Sequence, residues 1–453
     1  MVSTGSQKRR MPGVVVAALA MLLLFAAAPP NASAFGISSY SFQPSTTQAA
    51  AHPDLTVSLD FSAQGDDVRD LTLDFPPGQI GNPEVKTKCS QANFSHDLCL
   101  ASSRVGSASV VATALGLPVP VFGTVYVLRP SPTDAATLGV VLRPTAGLPI
   151  VGNIYVTAHI GVERTADGDY FLRTRITNIP RTASAALGLL PIPITLEHMS
   201  LTLSRYGNAT GTYFLTNPTG CGTATSNVQA VSYGNRTAAA QSSYTPVHCE
   251  VVPFQPSLDF ATTSTQAGAR IGVTATLSVP ANERPLRQSH VKDVLLKFPP
   301  GLNLNILSAF GVDTCSDADL AADSCPPNSD IGDAAAAIPP LPPDFTGDVY
   351  RIAPGPDDAY GFGVVLRGPR GVKARLRGGA SITSVQTPEG FLIQLTSSFH
   401  SLPQIPFTSF RLAITRQMFF NSATCGTRNA EATLAGWSGA VANLTSPYTT
   451  TGC

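Results

Sequence analysis

Two short stretches with a cysteine at each end decide the fold of this chain: residues 89–99, CSQANFSHDLC, and residues 315–325, CSDADLAADSC. Each stretch is followed by a second cysteine pair with a longer spacing, Cys221 with Cys249 in the first case and Cys425 with Cys453 in the second. Both longer pairs have the same separation. Two duplicated spacings predict two copies of one extracytoplasmic module.

Other segments repeat in the same order. The hexapeptide at residues 73–78, LDFPPG, returns at 296–301 as LKFPPG, and GVVLR at 139–143 returns at 363–367. A repeat of this length is far longer than a solenoid unit. We therefore divide the chain into a leader at residues 1–34, a first repeat at 35–249 and a second repeat at 250–453.

The cysteines are interpreted as disulfides. Four cysteines allow three connectivities per repeat, and the duplicated spacings favour local pairing. Loop closure of the shorter and longer pairs is worth roughly 2.7 and 3.6 kcal/mol. Zinc sites use closer pairs with matched histidines, so we predict no metal and no cofactor. The predicted pairs are Cys89 with Cys99, Cys221 with Cys249, Cys315 with Cys325, and Cys425 with Cys453.

The N-terminus has the features of a secretory signal peptide. Basic Lys8-Arg9-Arg10 precedes an apolar run from Val14 to Ala28, and Ala32-Ser33-Ala34 is a small-residue cleavage site. The alternative is an uncleaved anchor. No later segment has the ~18 apolar residues of a membrane span. We therefore predict a protein without a transmembrane segment after cleavage, secreted or held at the cell envelope, where disulfides persist.

Composition and patterning predict an all-β protein. Leu55, Val57, Leu59 and Phe61 alternate with polar residues, the pattern of a half-buried strand. The chain contains 38 glycines and 38 prolines, so turns are frequent. We predict two tandem β-sandwich or jelly-roll-like domains, each with two local disulfides. Whether each repeat is one large sandwich or two packed halves stays open.

Charge argues against a nucleic-acid partner. Charged residues make up 13% of the chain and the net charge is zero, whereas nucleic-acid binding proteins carry basic patches.

Few residues indicate binding chemistry. Tyr126 and Tyr350 lie in apolar strands and are predicted to be core. Tyr244 and Tyr448, near a disulfide, are candidates for stacking on a glycan, although packing on the bridge is favoured. Asp317, Asp319 and Asp323 could hold calcium, but the spacing is not that of an EF-hand, and a solvated acidic loop is favoured. These candidates are weak individually.

Catalytic motifs are missing from the sequence. The run Gly436-Trp437-Ser438-Gly439 resembles a nucleophile turn with one residue too few, and a loop with a packed tryptophan is the favoured interpretation. The seven histidines have no clear partners between repeats. They are His52, His96, His159, His198, His248, His290 and His400.

The copies differ in one apolar insertion. The first repeat carries Ala183 to Ile194, where the second has only Leu402 to Pro406. The insertion either folds over its own core or forms an apolar patch that contacts another domain or a partner.

Short motifs in the first repeat resemble those of uncharacterised secreted repeat proteins of high-GC Gram-positive bacteria. The resemblance rests on Thr47 to Asp54 (TQAAAHPD) and on Pro76 to Pro83 (PPGQIGNP), followed by the cysteine pair. The second repeat departs from it, with Arg270-Ile271 in place of His-Pro. The resemblance covers the mature chain and implies no activity.

Two classes of function remain. The first is a non-enzymatic structural, adhesive or binding protein, whose partner is unknown but could be a cell-surface protein or glycan. The alternative is a secreted glycan or ester hydrolase with a site between the repeats. The hydrolase requires His159, His198 or His400 to meet a carboxylate and a hydroxyl. We favour the first class and predict no catalytic residues.

Overall fold

A computed structural model describes Met1 and residues 35–62, 66–144, 152–184, 191–205, 212–282, 284–305, 311–388 and 390–453. The predicted leader, apart from Met1, lies outside the described residues. Regular structure is almost entirely antiparallel β, in two similar sheets. The predicted all-β class with two tandem domains is confirmed.

The first repeat contains one large sheet and a two-stranded ribbon. The order of strands in the large sheet is β1-β2-β11-β5-β6-β7-β8-β9-β3-β13-β14, with β10 beside β11, and β12 pairs with β4. The strands are β1 (Gly36–Pro44), β2 (Leu55–Ser62), β3 (Val68–Asp74), β4 (Ile80–Gly81), β5 (Arg104–Ala114), β6 (Leu117–Leu128), β7 (Ala136–Pro144), β8 (Ile154–Arg164), β9 (Tyr170–Ile176), β10 (Thr182–Ala183), β11 (Ile192–Leu203), β12 (Leu215–Thr216), β13 (Ala224–Ser232) and β14 (Thr237–Tyr244).

The second repeat follows the same order, β15-β16-β24-β19-β20-β21-β22-β23-β17-β25-β26, with β18 beside β24. Its strands are β15 (Ser257–Thr262), β16 (Arg270–Ser278), β17 (Val291–Lys297), β18 (Asn303–Leu304), β19 (Asp330–Ala337), β20 (Phe345–Ile352), β21 (Tyr360–Arg367), β22 (Lys373–Thr387), β23 (Gly390–Phe399), β24 (Ser409–Phe420), β25 (Gly426–Gly436) and β26 (Val441–Thr450).

Each large sheet rolls up until its first and last strands lie side by side. In the first repeat, the Phe42 amide of β1 donates to Ser242 Oγ of β14 at 3.0 Å. In the second, the Phe260 amide donates to Ser446 Oγ at the same distance, 3.0 Å. These contacts close the seam through side chains, because no backbone ladder joins the two strands. Each repeat is therefore one rolled sheet around one core.

The predicted strand and turn chemistry is present. Leu55, Val57 and Leu59 of β2 are at most 2% exposed, so the apolar face of the alternation points into the core. The Pro-Pro-Gly turns end β3 and β17, and Gly78 and Gly301 have φ of +79° and +88°. Glycine adopts such angles without a Cβ penalty, which explains its place in both turns.

A short helix follows the first cysteine of each repeat: α1 (Gln91–Ser95) and α2 (Asp317–Ala322). Ser90 and Ser316 are the N-caps, as predicted, since each hydroxyl accepts an amide hydrogen bond. Each helix packs one apolar side chain on a glycine of the sheet. A Cβ on Gly139 would lie 2.5 Å from Phe94, and a Cβ on Gly363 would lie 2.7 Å from Leu320.

The four disulfides are those that the spacings predict: Cys89–Cys99, Cys221–Cys249, Cys315–Cys325 and Cys425–Cys453. The described part of the chain has no free cysteine. Disulfides of this kind are typical of oxidising compartments. No helix within the described ranges is long and apolar enough to cross a membrane.

Candidate functional site

Two histidines form pairs with carboxylates on the outer surface of the first repeat. His159 Nδ1 of β8 lies 2.6 Å from Asp134 Oδ2, and His198 Nδ1 of β11 lies 2.6 Å from Asp60 Oδ1. A hydroxyl also meets each carboxylate: Thr137 donates to Asp134 at 2.9 Å, and Ser39 donates to Asp60. Hydrogen bonds from Ser39 and His198 lower the pKa of Asp60.

The arrangement does not reproduce an acyl-transfer triad. In such a triad the nucleophilic hydroxyl donates to histidine, and the carboxylate binds the other ring nitrogen. Here both the histidine and the hydroxyl bind the carboxylate, and no hydrogen bond from the hydroxyl to the histidine is present among the described atoms. His400 and Asp293 are 3.7 Å apart. The structure does not gather the three predicted histidines into one site, since they lie on separate elements.

His290 is the most strongly perturbed histidine. It is 3% exposed, and burial, followed by the charge of Arg287, lowers its pKa to about 3. Neither ring nitrogen has a hydrogen-bond partner among the described atoms. A void of about 10 Å³ adjoins it, roughly the space of one water molecule. The side chain is neutral at physiological pH and lies next to the contact between the repeats.

The acidic loop of the second repeat forms ion pairs. Asp323 Oδ1 and Oδ2 accept from Arg367 and Lys373, each at 2.5 Å, and these hydrogen bonds lower the pKa of Asp323 to about 2. Asp317 pairs with Arg377, and Asp319 accepts from its own N-cap serine. The described residues contain no group of three or more ligands that could hold a metal ion. Asp323 anchors the loop to the sheet, whereas the Asp317 side chain is 73% exposed, so the loop is anchored at one carboxylate and solvated at another.

The aromatic candidates are packed. Tyr126, Tyr350 and Tyr448 are 7–9% exposed, and burial raises the pKa of Tyr244, whose hydroxyl donates to Gln79 at 2.6 Å. Trp437 is partly buried, and its Nε1 donates to Leu402 O at 3.0 Å. All five side chains are packed, with Tyr244 against Phe42 and Tyr448 against Phe260, and the predicted packing of these two tyrosines on the disulfides stays a prediction.

The junction between the repeats is formed by the hairpin of β8 and β9. Tyr170 at its tip is 8% exposed and belongs to the core of the second repeat, and Val162 packs against the same core. The Tyr170 hydroxyl accepts a hydrogen bond from the Arg375 amide of β22 at 3.2 Å. Sequence analysis did not identify Tyr170, because an aromatic residue in a strand looks the same whichever core receives it.

Further contacts surround this hairpin. The Arg370 side chain donates to Ala135 O at 3.0 Å, and the Gln404 amide donates to Asp169 Oδ1 at 2.9 Å. Beside them lies a cleft of about 440 Å³. Its lining includes Asp167, Ser401 and Trp437 but no histidine. The predicted cleft between the repeats exists, and the carboxylates of Asp167 and Asp169 line it, without a histidine among its described residues.

The matching hairpin of the second repeat is exposed. Register identifies the equivalent positions: β7 pairs Leu138 with Ala158, and β21 pairs the equivalent Phe362 with Gly378. Counting outward along the paired strands makes Val162 equivalent to Ile382 and Tyr170 equivalent to Ile393. Ile382 and Ile393 are 43% and 44% exposed, and Phe391 beyond them is 76% exposed. The residues that dock in one repeat are therefore free in the other.

The edge that receives Tyr170 is also duplicated. Strand β22 pairs with β23 only from Gly378 onward, so its segment 373–377 has an open outer edge that Tyr170 occupies. Strand β8 pairs with β9 only from Ala158 onward, so residues 154–157 present the same open edge in the first repeat. No strand of the described chain covers that edge.

The apolar insertion is only partly described. Thr182–Ala183 pair with Ile192 and Pro193 of β11 at the first sheet. Residues 185–190 lie outside the described residues, and the proposed contact role of the insertion stays a prediction.

Comparisons with known proteins give weak matches. No protein-family model matches the chain, and no curated protein matches it. The C-terminal domain of the AgI/II polypeptide BspA of Streptococcus agalactiae aligns with 90% of this chain and 98% of its own, at 11% identity and a TM-score of 0.18. The type II cohesin dyad from the ScaA scaffoldin of Acetivibrio cellulolyticus aligns with 90% of this chain and 96% of its own, at 9% identity and 0.16.

A tetra-tandem repeat from the extending region of a large adhesion protein aligns with 93% of this chain and all of its own, at 10% identity and a TM-score of 0.12. Scores this low do not indicate a shared fold. What this chain does therefore has to follow from its own surfaces.

Proposed function

We propose that this chain is a non-enzymatic structural protein of the cell envelope or extracellular space whose copies join end to end. The contact between copies would repeat the contact between the two repeats of one chain. In this arrangement, the exposed hairpin of the second repeat docks on the first repeat of the next copy.

The exposed apolar hairpin carries the proposal. Ile382, Ile393 and Phe391 occupy or extend the positions that Val162 and Tyr170 use to enter the second core. Docking removes these apolar side chains from water, which stabilises the contact by about 25 cal/mol for each Å² of apolar surface buried. The open edge of β8 at residues 154–157 offers the equivalent receiving surface. A contact between unlike ends joins copies head to tail and produces linear assemblies when its rotation does not close a ring.

The expected contact is weaker than the junction inside the chain. Ile393 has no hydroxyl to accept the hydrogen bond that Tyr170 accepts from a backbone amide, and the two repeats of one chain are also covalently linked. Association should therefore be reversible and depend on protein concentration.

Sedimentation velocity of residues 35–453 tests the proposal. We expect the mean mass to rise with concentration, and electron microscopy should show linear chains. The double variant Phe391→Ser/Ile393→Ser should stay monomeric. The single variant Ile393→Tyr, which copies Tyr170, should strengthen association about fivefold, the equivalent of one hydrogen bond of about 1 kcal/mol.

Val441→Ser is the matched control, because Val441 is 61% exposed on β26, and β17 and β25 separate β26 from the exposed hairpin. It should associate like the native chain. A native protein that stays monomeric up to about 1 mM, a binding free energy weaker than about −4 kcal/mol, would overturn the proposal. Equal loss of association in the control would also overturn it.

The absence of catalysis is tested separately. We expect no turnover on a panel of glycans and esters, and no difference between the native chain and His159→Ala. Turnover that this substitution abolishes would establish the hydrolase instead.

A further inference from the structure

The rolled sheet of the first repeat encloses an apolar cavity of about 160 Å³. Strands β2, β3, β5 to β9 and β11 all contribute to its wall. Two residues of the wall, Thr174 and Ser200, carry side-chain hydroxyls, and no described wall residue is charged. Protein interiors rarely leave voids larger than a water molecule, so a space of this size is an unusual feature of a core.

The second repeat has the same frame and a smaller cavity, of about 70 Å³. Register and the repeated motifs show why. Four wall positions of the first repeat are aliphatic, and phenylalanine stands at each equivalent position of the second. The pairs are Val121 with Phe345, Leu138 with Phe362, Ile176 with Phe399, and Met199 with Phe410.

The phenylalanines fill the second core with ring contacts. Phe362 and Phe399 meet edge to face with centroids 5.2 Å apart, and Phe399 and Phe410 do the same at 6.3 Å. Two of the rings lie against glycines, since a Cβ on Gly378 would lie 2.4 Å from Phe362 and one on Gly368 would lie 2.2 Å from Phe345. The equivalent residues of the first repeat are Ala158 and Pro144. The space in the first repeat arises from its side chains and is not a requirement of the topology.

The wall of the cavity is apolar but partly open to water. Val140, Ile176 and Met199 are only half-buried although they face the interior. The cavity also extends to Ile154 and Ile194, at the end of the sheet away from the second repeat. Water in this space would find few polar partners, and apolar cavities of about 150 Å³ stay dry and bind hydrocarbons.

We propose that the first repeat is a binding site for a short alkyl chain or the end of a longer one, and that the second repeat has lost this site. The buried part of the ligand is neutral, because no charged wall residue could pair with an ion. A polar head group would remain in contact with water. The wall residues Ile154 and Val156 also belong to the receiving edge at residues 154–157, so the site shares this edge with the proposed assembly.

A series of 1-alkanols tests the site by isothermal titration calorimetry. The monomeric Phe391→Ser/Ile393→Ser variant is used beside the native chain, so that failure of the assembly proposal leaves the result interpretable. We expect saturable binding at one site per chain. Affinity should rise about fourfold per methylene, the factor equivalent to about 0.8 kcal/mol, until the chain fills the cavity. Octanoate should bind no more tightly than 1-octanol.

The blocking variant copies the second repeat at two positions: Ile176→Phe and Met199→Phe together. It should lose binding while circular dichroism and hydrogen exchange remain native. If the blocking variant does not fold, Met199→Phe alone is expected to weaken binding at least tenfold. The reciprocal variant Phe399→Ile/Phe410→Met should gain a second site, which raises the stoichiometry toward two.

Flotation with phosphatidylcholine vesicles separates two sources of the alkyl chain. If the native chain floats with the vesicles and the blocking variant does not, the ligand is the end of a lipid acyl chain. If the native chain binds 1-alkanols but does not float, the ligand is a free alkyl compound. Non-saturable uptake of 1-alkanols, or equal binding by a folded blocking variant, would overturn the proposal.

Discussion

The two repeats share a strand order, a disulfide frame and a capped helix, but they differ in two places. The first has an aliphatic wall around a cavity of about 160 Å³, whereas phenylalanines fill much of that space in the second. The hairpin of the first is buried in its neighbour, whereas the hairpin of the second is exposed. Features that are alike maintain the fold, and those that differ carry the proposed functions.

Truncation of one interior side chain should show the largest difference in stability between the two cores. Phe399→Ala removes a ring that contacts Phe362 and Phe410, and we expect a loss of about 3–5 kcal/mol. Ile176→Ala, at the equivalent position, should cost about 2 kcal/mol because its side chain already borders empty space. Hydrogen exchange resolved by repeat measures both. Equal losses would contradict the difference between the cores.

Removal of the long disulfides tests a feature that the two repeats share. Cys221–Cys249 and Cys425–Cys453 both span 28 residues, so each pair of Cys→Ser changes should cost about 3.6 kcal/mol by loop entropy. Cys249 is 7% exposed, whereas neither Cys425 nor Cys453 of the second repeat is buried. Any loss of stability beyond the loop-entropy value should therefore fall on the first repeat. Urea unfolding measures the difference, and an excess in the second repeat would contradict it.

Acid should weaken the second repeat through its anchored loop. Asp323 has a pKa of about 2 when folded, against 3.8 ordinarily. Its ion pairs therefore contribute above pH 4 and are lost as the pH falls from about 4 to 2, a change of about 2 kcal/mol. Asp323→Asn should remove that pH dependence.

Asp97→Asn is the matched change in the first repeat. Asp97 pairs with Arg143 in a more exposed position, so we expect a loss of about 0.5–1 kcal/mol. Urea unfolding between pH 3 and pH 7 measures both variants. A larger loss at Asp97 would contradict the comparison.

A similarly small effect is expected at the junction itself. Tyr170→Phe removes one acceptor from the Arg375 amide and should cost about 1 kcal/mol. The fluorescence of Trp437, which adjoins Gly220 across the junction, measures the loss of junction stability. Phe391→Tyr on the exposed hairpin is the control and should leave monomer stability unchanged.

Sequence alone determined the repeat, the strands and the covalent frame. Cysteine spacing and the alternation at Leu55 to Phe61 are local patterns, and local patterns follow directly from backbone geometry and loop closure. The caps Ser90 and Ser316 and the Pro-Pro-Gly turns were predictable for the same reason.

Tertiary structure alone decided what lies inside and between the repeats. Val121, Leu138, Ile176 and Met199 are distant in sequence, and their shared wall appears only when the sheet rolls up. Tyr170 is an ordinary strand residue until a second core receives it. These properties depend on which side chains meet across a closed sheet, and the spacing of residues along the chain does not contain that information.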